Sequence, residues 1–239
     1  MTAIATRDFD YADGDTACRG WLCLPEGLSA PAPAVLMAPA FQGVVPGMKA
    51  NAEKLAATGR PVLLLDPYGV EEMAKDVDPM VRMQSMVADR AGLRARLLAA
   101  LDAFKALPEI DAGRIAAAGY CFGGLCALDL ARAAPEGLVG AVSLHGVFTP
   151  NPLPANPISA KVLVLHGWDD PLATPDTVLA LATELTKAGA DWQIHAYGQT
   201  LHAFTTPGAN TPGRAMYSPD ADRRSFQAMG DFLGEVLDA

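Results

Sequence analysis

A chain of 239 residues, 51% hydrophobic and 19% charged, can bury a well-covered core, and such lengths are routinely one domain in α/β folds. Its formal net charge of -9 argues against a nucleic-acid partner, because neutralising phosphates needs clustered Lys and Arg. No stretch is repetitive or low in complexity, and the longest apolar runs, such as PAVLMAPAF and PVLLLDP, are far too short to span a bilayer.

The N-terminal MTAIATRDFDYADGD has no apolar run flanked by basic residues, so no secretory signal is read there and a soluble cytoplasmic protein is expected. IATRDFDY and ACRGWLCLP read as two strands around ADGDT, with Asp13-Gly14 as a tight hairpin turn. AVLMAPA is a continuous apolar run, the mark of a strand buried on both faces. Residues 48–58 fit a helix closed by Gly59, and PVLLLDPYG a second buried strand that leaves the sheet at Asp66-Pro67. Val87, Leu93, Leu97, Leu98, Leu101 and Phe104 recur at roughly helical spacing and predict one long helix over 83–107.

RIAAAG is the next strand and FGGLCALDLARAA the next helix, followed by two more buried strands in LVGAVSLHG and AKVLVLHG. TPDTVLALATELTKAG reads as a helix with Thr174 as N-cap, Pro175 in first position and Gly189 at its end. DWQIHAYG alternates like a last strand, and SPDADRRSFQAMGDFLGEVL is a closing amphipathic helix. This order predicts one α/β domain over 1–239: a mostly parallel sheet with an N-terminal antiparallel hairpin and helices on both faces. Ligand sites in such sheets lie at the carboxyl ends of the strands, which points to Phe41, Tyr68, Cys121, 145–148 and 166–170.

One of those ends carries a motif. Gly119-Tyr120-Cys121-Phe122-Gly123 has the G-x-nucleophile-x-G form of a nucleophile elbow between a strand and a helix. Side chains at the glycine positions would collide with the neighbouring strand and helix, while the central side chain projects above the sheet. A cysteine placed there meets the positive end of the helix dipole, which favours thiolate over thiol. A nucleophile needs a base, and the base an orienting group. LHGWDDP and GQTLHAF, each following a strand, offer Asp170 and His202, in the chain order nucleophile, acid, histidine found in α/β-hydrolases. Asp169 competes as the acid; Asp170 is preferred because Gly-x-x-Asp followed by Pro171 is the usual α/β-hydrolase form of this loop. The oxyanion hole is expected from the backbone N–H of Phe122 and from that of Phe41, in the loop after the first long parallel strand.

GYCFGG, HGWDDPLATPD and the histidine of QTLHAF, in this order, resemble the dienelactone hydrolase family, α/β-hydrolases with a Cys-Asp-His triad. AVLMAPAFQG and AEKLAATGRPVLLLDPYG extend the resemblance over nearly the whole chain. Members that cleave dienelactone carry a glutamate in the loop after that strand, which helps control the cysteine's protonation; here Ala40 stands there. They also place an arginine just past the histidine for the substrate carboxylate, where this chain has Thr205 and Thr206. A neutral ester is therefore expected at least as much as an anionic lactone. Tyr68, Arg82 and Trp168 are the candidate substrate contacts, and Phe41, Tyr68, Phe122, Phe148, Trp168 and Tyr217 the candidate lining of an apolar pocket.

The remaining polar residues read more plainly. Cys18, Cys23 and Cys126 are expected in the core as free thiols, since no CxxC pair or disulfide framework is present. His145 and His166 end strands and are read as packed, hydrogen-bonded support, and His195 as structural. Asp66 reads as a turn residue and Asp129 as a helix-face residue. The expected activity is hydrolysis of a small carboxylic ester or lactone through an acyl thioester, without metal or organic cofactor, by a monomer or weak homodimer. The alternative is a non-catalytic protein of the same fold that binds a small ligand or senses oxidation through its thiol.

Overall fold

Asp13 and Gly14 turn the chain back on itself. Strand β1 (Ile4–Asp13) runs antiparallel to β2 (Thr16–Pro25), with Ile4 opposite Pro25, and Gly14 takes φ +55° in the turn. The computed structural model describes residues 3–154 and 156–238. Beyond the hairpin it alternates β3 (Ala32–Ala38), α1 (Pro46–Ala56), β4 (Val62–Leu64), the short α2 (Val70–Met73), α3 (Pro79–Ala88) and α4 (Arg90–Lys105). There follow β5 (Ile110–Tyr120), α5 (Phe122–Ala133), β6 (Leu138–Leu144), β7 (Lys161–Gly167), α6 (Pro175–Lys187) and β8 (Trp192–Tyr197). A two-stranded ribbon, β9 (Asn210–Thr211) and β10 (Ala215–Met216), precedes the closing α7 (Pro219–Leu237).

The main sheet has eight strands in the order β1-β2-β4-β3-β5-β6-β7-β8, parallel from β4 through β8. Its central strands are apolar throughout because both faces are covered, and successive side chains enter different cores. Val35, Met37, Val62 and Leu64 pack under α1 and α7, whereas Leu36, Ala38, Leu63 and Leu65 pack under α4 and α5. A third cluster joins Ala141, Val162 and Val164 to Leu128 of α5 and to Val178, Leu181 and Leu185 of α6. Cys18, Cys23 and Cys126 are buried free thiols, as expected. Among the described residues no helix is long and apolar enough to cross a membrane.

The structure refines or departs from the sequence reading in several places. The long helix over 83–107 is two helices, broken at Asp89. The Asp89 N–H still donates to the Ser85 carbonyl of α3, while its carboxylate accepts the Gly92 N–H and caps α4. A side-chain cap can end one helix and start the next without disturbing the apolar spacing. Thr174 is the N-cap of α6 with Pro175 first, as read, but its side chain makes no capping bond; its carbonyl accepts the N–H groups of Thr177 and Val178. The ribbon β9–β10 is too short to leave a period in the sequence. Asp129 is no surface helix-face residue: it is 1% exposed and receives Arg90 through Nε at 2.8 Å and Nη2 at 2.6 Å, Arg132 Nη1 at 3.0 Å and Asn151 Nδ2 at 2.9 Å. A carboxylate inside an apolar helix survives burial only when its lone pairs are filled in this way.

Candidate active site

β5 ends at Tyr120 and α5 begins at Phe122, so Cys121 alone makes the turn between them. It does so at φ 56° and ψ -113°, a conformation that side-chain-bearing residues rarely adopt. The backbone leaves no other option for its neighbours. A Cβ on Gly119 would lie 2.0 Å from the Gly123 oxygen, and one on Gly123 would lie 2.1 Å from the Ala38 oxygen at the end of β3. The Cys121 N–H donates to the Leu144 carbonyl of β6 at 3.0 Å, and its own carbonyl accepts the Gly124 N–H at 3.0 Å. The side chain is left partly exposed above the sheet.

His202 Nε2 lies 3.1 Å from Cys121 Sγ, and His202 Nδ1 lies 2.7 Å from Asp170 Oδ2. The other carboxylate oxygen of Asp170 accepts the Leu172 N–H at 2.8 Å, which fixes its orientation. Asp170 is buried, whereas Asp169 is exposed and its N–H donates to the Thr200 carbonyl, with no side-chain bond among the described residues. The histidine loop is secured from behind. His202 forms a bridge with Ala215, its carbonyl accepts the Met216 N–H at 3.1 Å, and the Phe204 carbonyl accepts the Ser218 N–H at 3.1 Å.

Protonation follows from these contacts. Burial pulls the His202 imidazolium down, but the hydrogen bonds to Asp170 and Cys121 outweigh it and raise the group to about 9. His145 lies edge-on to it, ring centres 5.1 Å apart, and behaves in the opposite way. Burial, with the charge of His202 beside it, holds His145 well below the ordinary imidazole range, so it stays neutral. It sits at φ 37° at the end of β6 and meets Thr205 Oγ1 through Nε2 at 2.8 Å. The sequence reading had both strand-end histidines hydrogen-bonded; His166 is instead packed against Phe148 and Trp168, and neither of its ring nitrogens has a partner among the described residues.

On the other side of Cys121, the loop after β3 turns at residues 40–43, where the Gly43 N–H donates to the Ala40 carbonyl at 3.0 Å. Tyr68 anchors this turn from the end of β4: its hydroxyl donates to the Phe41 carbonyl at 2.8 Å, and its ring stacks on Phe122 with centres 6.0 Å apart. Among the described residues, the N–H groups of Phe41 and Phe122 donate to no protein acceptor. Gly123 brings the first turn of α5 against β3, so this loop and the start of α5 lie side by side.

The dienelactone hydrolase family profile matches residues 18–237. The chain belongs to the dienelactone hydrolase family. It is 36% identical to the solved dienelactone hydrolase-like promiscuous phosphotriesterase from metagenomic libraries, with a TM-score of 0.87 over 98% of this chain and 99% of that one. An uncharacterized protein of Caenorhabditis elegans is 36% identical over 157 residues, 64% of this chain and 99% of that protein. The dienelactone hydrolase of Anabaena variabilis, at 22% identity and TM-score 0.74 over 98% of this chain and 99% of that one, shows the shared fold.

Within this member of the dienelactone hydrolase family, the other sequence candidates scatter. Tyr68 is buried and spends its hydroxyl on Phe41. Arg82 is 6% exposed, lies over the Tyr68 ring at 5.6 Å and donates through Nη2 to the Lys75 carbonyl at 3.2 Å. Trp168 is 45% exposed, and its nearest ring is His166. Phe148 belongs to the core, and Tyr217 is half-buried beside Asp222. Of the aromatic candidates, Phe122 walls an apolar cavity, together with Met83 and Val87 of α3. The sequence reading used Val87 only for its helical spacing and Met83 only as the start of that helix; their signal as lining was a helix carrying apolar residues just before the break at Asp89. His145 was named only as support, and Thr205 only as a departure from the family pattern.

Proposed function

We propose that this chain hydrolyses small carboxylic esters or lactones, with Cys121 as nucleophile, His202 as base and Asp170 as its orienting group. The observation that carries the reading is the continuous chain from Sγ to Nε2 at 3.1 Å and from Nδ1 to Oδ2 at 2.7 Å, built on an elbow at positive φ. With His202 raised to about 9 by its bonds to Asp170 and Cys121, the imidazole is the base placed to take the Cys121 proton. The thiolate attacks the carbonyl carbon, and the N–H groups of Phe122 and Phe41 receive the oxyanion. The C–O bond breaks, the leaving alkoxide takes the proton from His202, and an acyl thioester remains. Water then adds to the thioester while His202 takes its proton. Collapse releases the carboxylic acid and restores the pair. Asp170 holds the Nδ1–H tautomer and the charge that develops on the ring.

The reading needs no metal or organic cofactor and places a small ester or lactone, rather than a macromolecule, as the partner of a cytoplasmic monomer or weak homodimer. An oxidation-sensing role is less supported, because the thiol nearest in sequence, Cys126, is fully buried and pushed far up by that burial. The 36% identity to a promiscuous phosphotriesterase makes a phosphotriester a second substrate class to include. The test is p-nitrophenyl acetate and a p-nitrophenyl phosphotriester with wild type, Cys121→Ala and His202→Ala. Loss of acetate turnover in both variants supports the reading. Equal rates in all three overturn it, and a rate on the phosphotriester alone transfers the site to that class.

A further inference from the structure

Beside the elbow, a cavity of about 310 Å3 opens between α3 and the first turn of α5. Met83 and Val87 stand on one side, Phe122 and Leu125 on the other, and Val147 and Thr149 close the end. We propose that this cavity receives the acyl portion of the substrate, and that this portion is an uncharged hydrocarbon chain or ring. The inference rests on Cys121 being the nucleophile and adds which substrates it accepts.

Position comes first. Phe122 belongs to both places: its N–H follows Cys121 at the start of α5, and the residue lines the cavity, whose walls begin one position beyond Cys121. None of the walls comes from Asp170 or from the histidine loop. The leaving group must reach His202 to take its proton, while the acyl group stays on sulfur. The cavity therefore suits the part of the substrate that does not have to meet the histidine.

Chemistry comes next. No Asp, Glu, Lys or Arg lines the cavity. Arg82, next to Met83 in α3, faces the other way, over Tyr68 and onto the carbonyl groups of Lys75 and Val77. A carboxylate held against Met83, Val87 and Phe122 would give up water and find no cation among the lining residues, whereas the exposed Gln84, Ala88 and Thr149 make only the solvent-facing rim. Met83, Val87 and Val147 are each only half-buried although they pack against the core, so apolar surface remains to be covered. Interiors seldom keep voids larger than a water, and a volume near 300 Å3 lies at the lower end of small-molecule pockets. A methylene takes up about as much room as a water molecule, so a chain of about six carbons fits with space to spare.

The test is a series of p-nitrophenyl acetate, butyrate, hexanoate and dodecanoate. For the wild type, kcat/KM should rise about fourfold per methylene to hexanoate and fall at dodecanoate. In Val87→Trp, which fills the cavity, the hexanoate-to-acetate ratio should collapse toward one. Calorimetry on Cys121→Ala gives a readout free of turnover: methyl hexanoate should bind, monomethyl adipate should bind at least tenfold more weakly, and adding Val87→Trp should abolish the difference. A flat series with an inactive Cys121→Ala would overturn the cavity assignment and leave the triad standing. Chain-length selectivity that persists in Cys121→Ala turnover would overturn the triad and leave the cavity standing. Equal binding of the two methyl esters, or none of either, also overturns the cavity assignment.

Discussion

Around Cys121 the backbone leaves no free volume, with carbonyl oxygens 2.0 and 2.1 Å from where the side chains of Gly119 and Gly123 would begin. The helix that overhangs it, α3, is built on other terms. It is begun by the Asp78 cap, ended at Asp89, and rests on half-buried Met83 and Val87 with a cavity beneath. The elbow fixes where the sulfur points through contacts that tolerate no added atom. The overhang meets the core through side chains whose size can change without moving the sheet. The elbow and the cavity beside it are thus held by different kinds of contact, and they should respond differently to mutation.

That contrast can be broken first at Asp170→Asn. Removing the carboxylate while keeping its shape should lower kcat by roughly 10^4 through the wrong tautomer. NMR titration should show His202 falling from about 9, since one of the two bonds that raise it is lost. Asp129→Ala, towards the far end of α5, leaves Arg90 buried without its anion, while Arg132 keeps Glu184. It should cost about 3–5 kcal/mol in chemical unfolding. The His202 shift also carries a stability term with a definite sign. Because the folded value is raised, the term is fully present below about 6.5 and is lost as pH rises through about 9. Urea midpoints should fall across that window in wild type and stay flat in His202→Gln.

Gly123→Ala should cost about 1–3 kcal/mol and abolish turnover out of proportion to its stability loss, because α5 can clear Ala38 only by moving the elbow. The smallest effect belongs to the overhang: Asp89→Ala removes one cap and should cost about 1 kcal/mol, with acetate turnover unchanged in the folded protein. If Asp89→Ala silenced the enzyme while Gly123→Ala did not, the division between elbow and overhang would be wrong.

The sheet was legible because its strands are apolar on both faces and bounded by Gly and Pro, as in PVLLLDPYG and LVGAVSLHG. The geometry at Cys121 was legible for a related reason: close backbone approach forces glycine, and glycine shows in the sequence. Features made by single side chains were hidden. Asp89 splits a helix without interrupting its apolar period, and the pairing of Asp129 with Arg90 spans 39 residues that no local pattern connects. An aspartate amid LCALDLARAA was the available sign of a buried anion. The cavity between α3 and α5 was hidden more deeply, since the aromatic residues that suggest a pocket mostly fill the core, and aliphatic residues of α3 line the space.

The fastening of His202 to β10 has a consequence for how the protein is made. The cysteine precedes the histidine by 81 residues, and the histidine precedes the ribbon that holds it. A chain leaving the ribosome can fold its central strands and the elbow while its base is still unmade. Even when His202 has emerged, its carbonyl and that of Phe204 wait for the N–H groups of Met216 and Ser218, which lead directly into α7. The segment leading into α7 is thus also the latch of His202, and a nascent chain exposes its Cys121 thiol before the histidine that meets it is held in place.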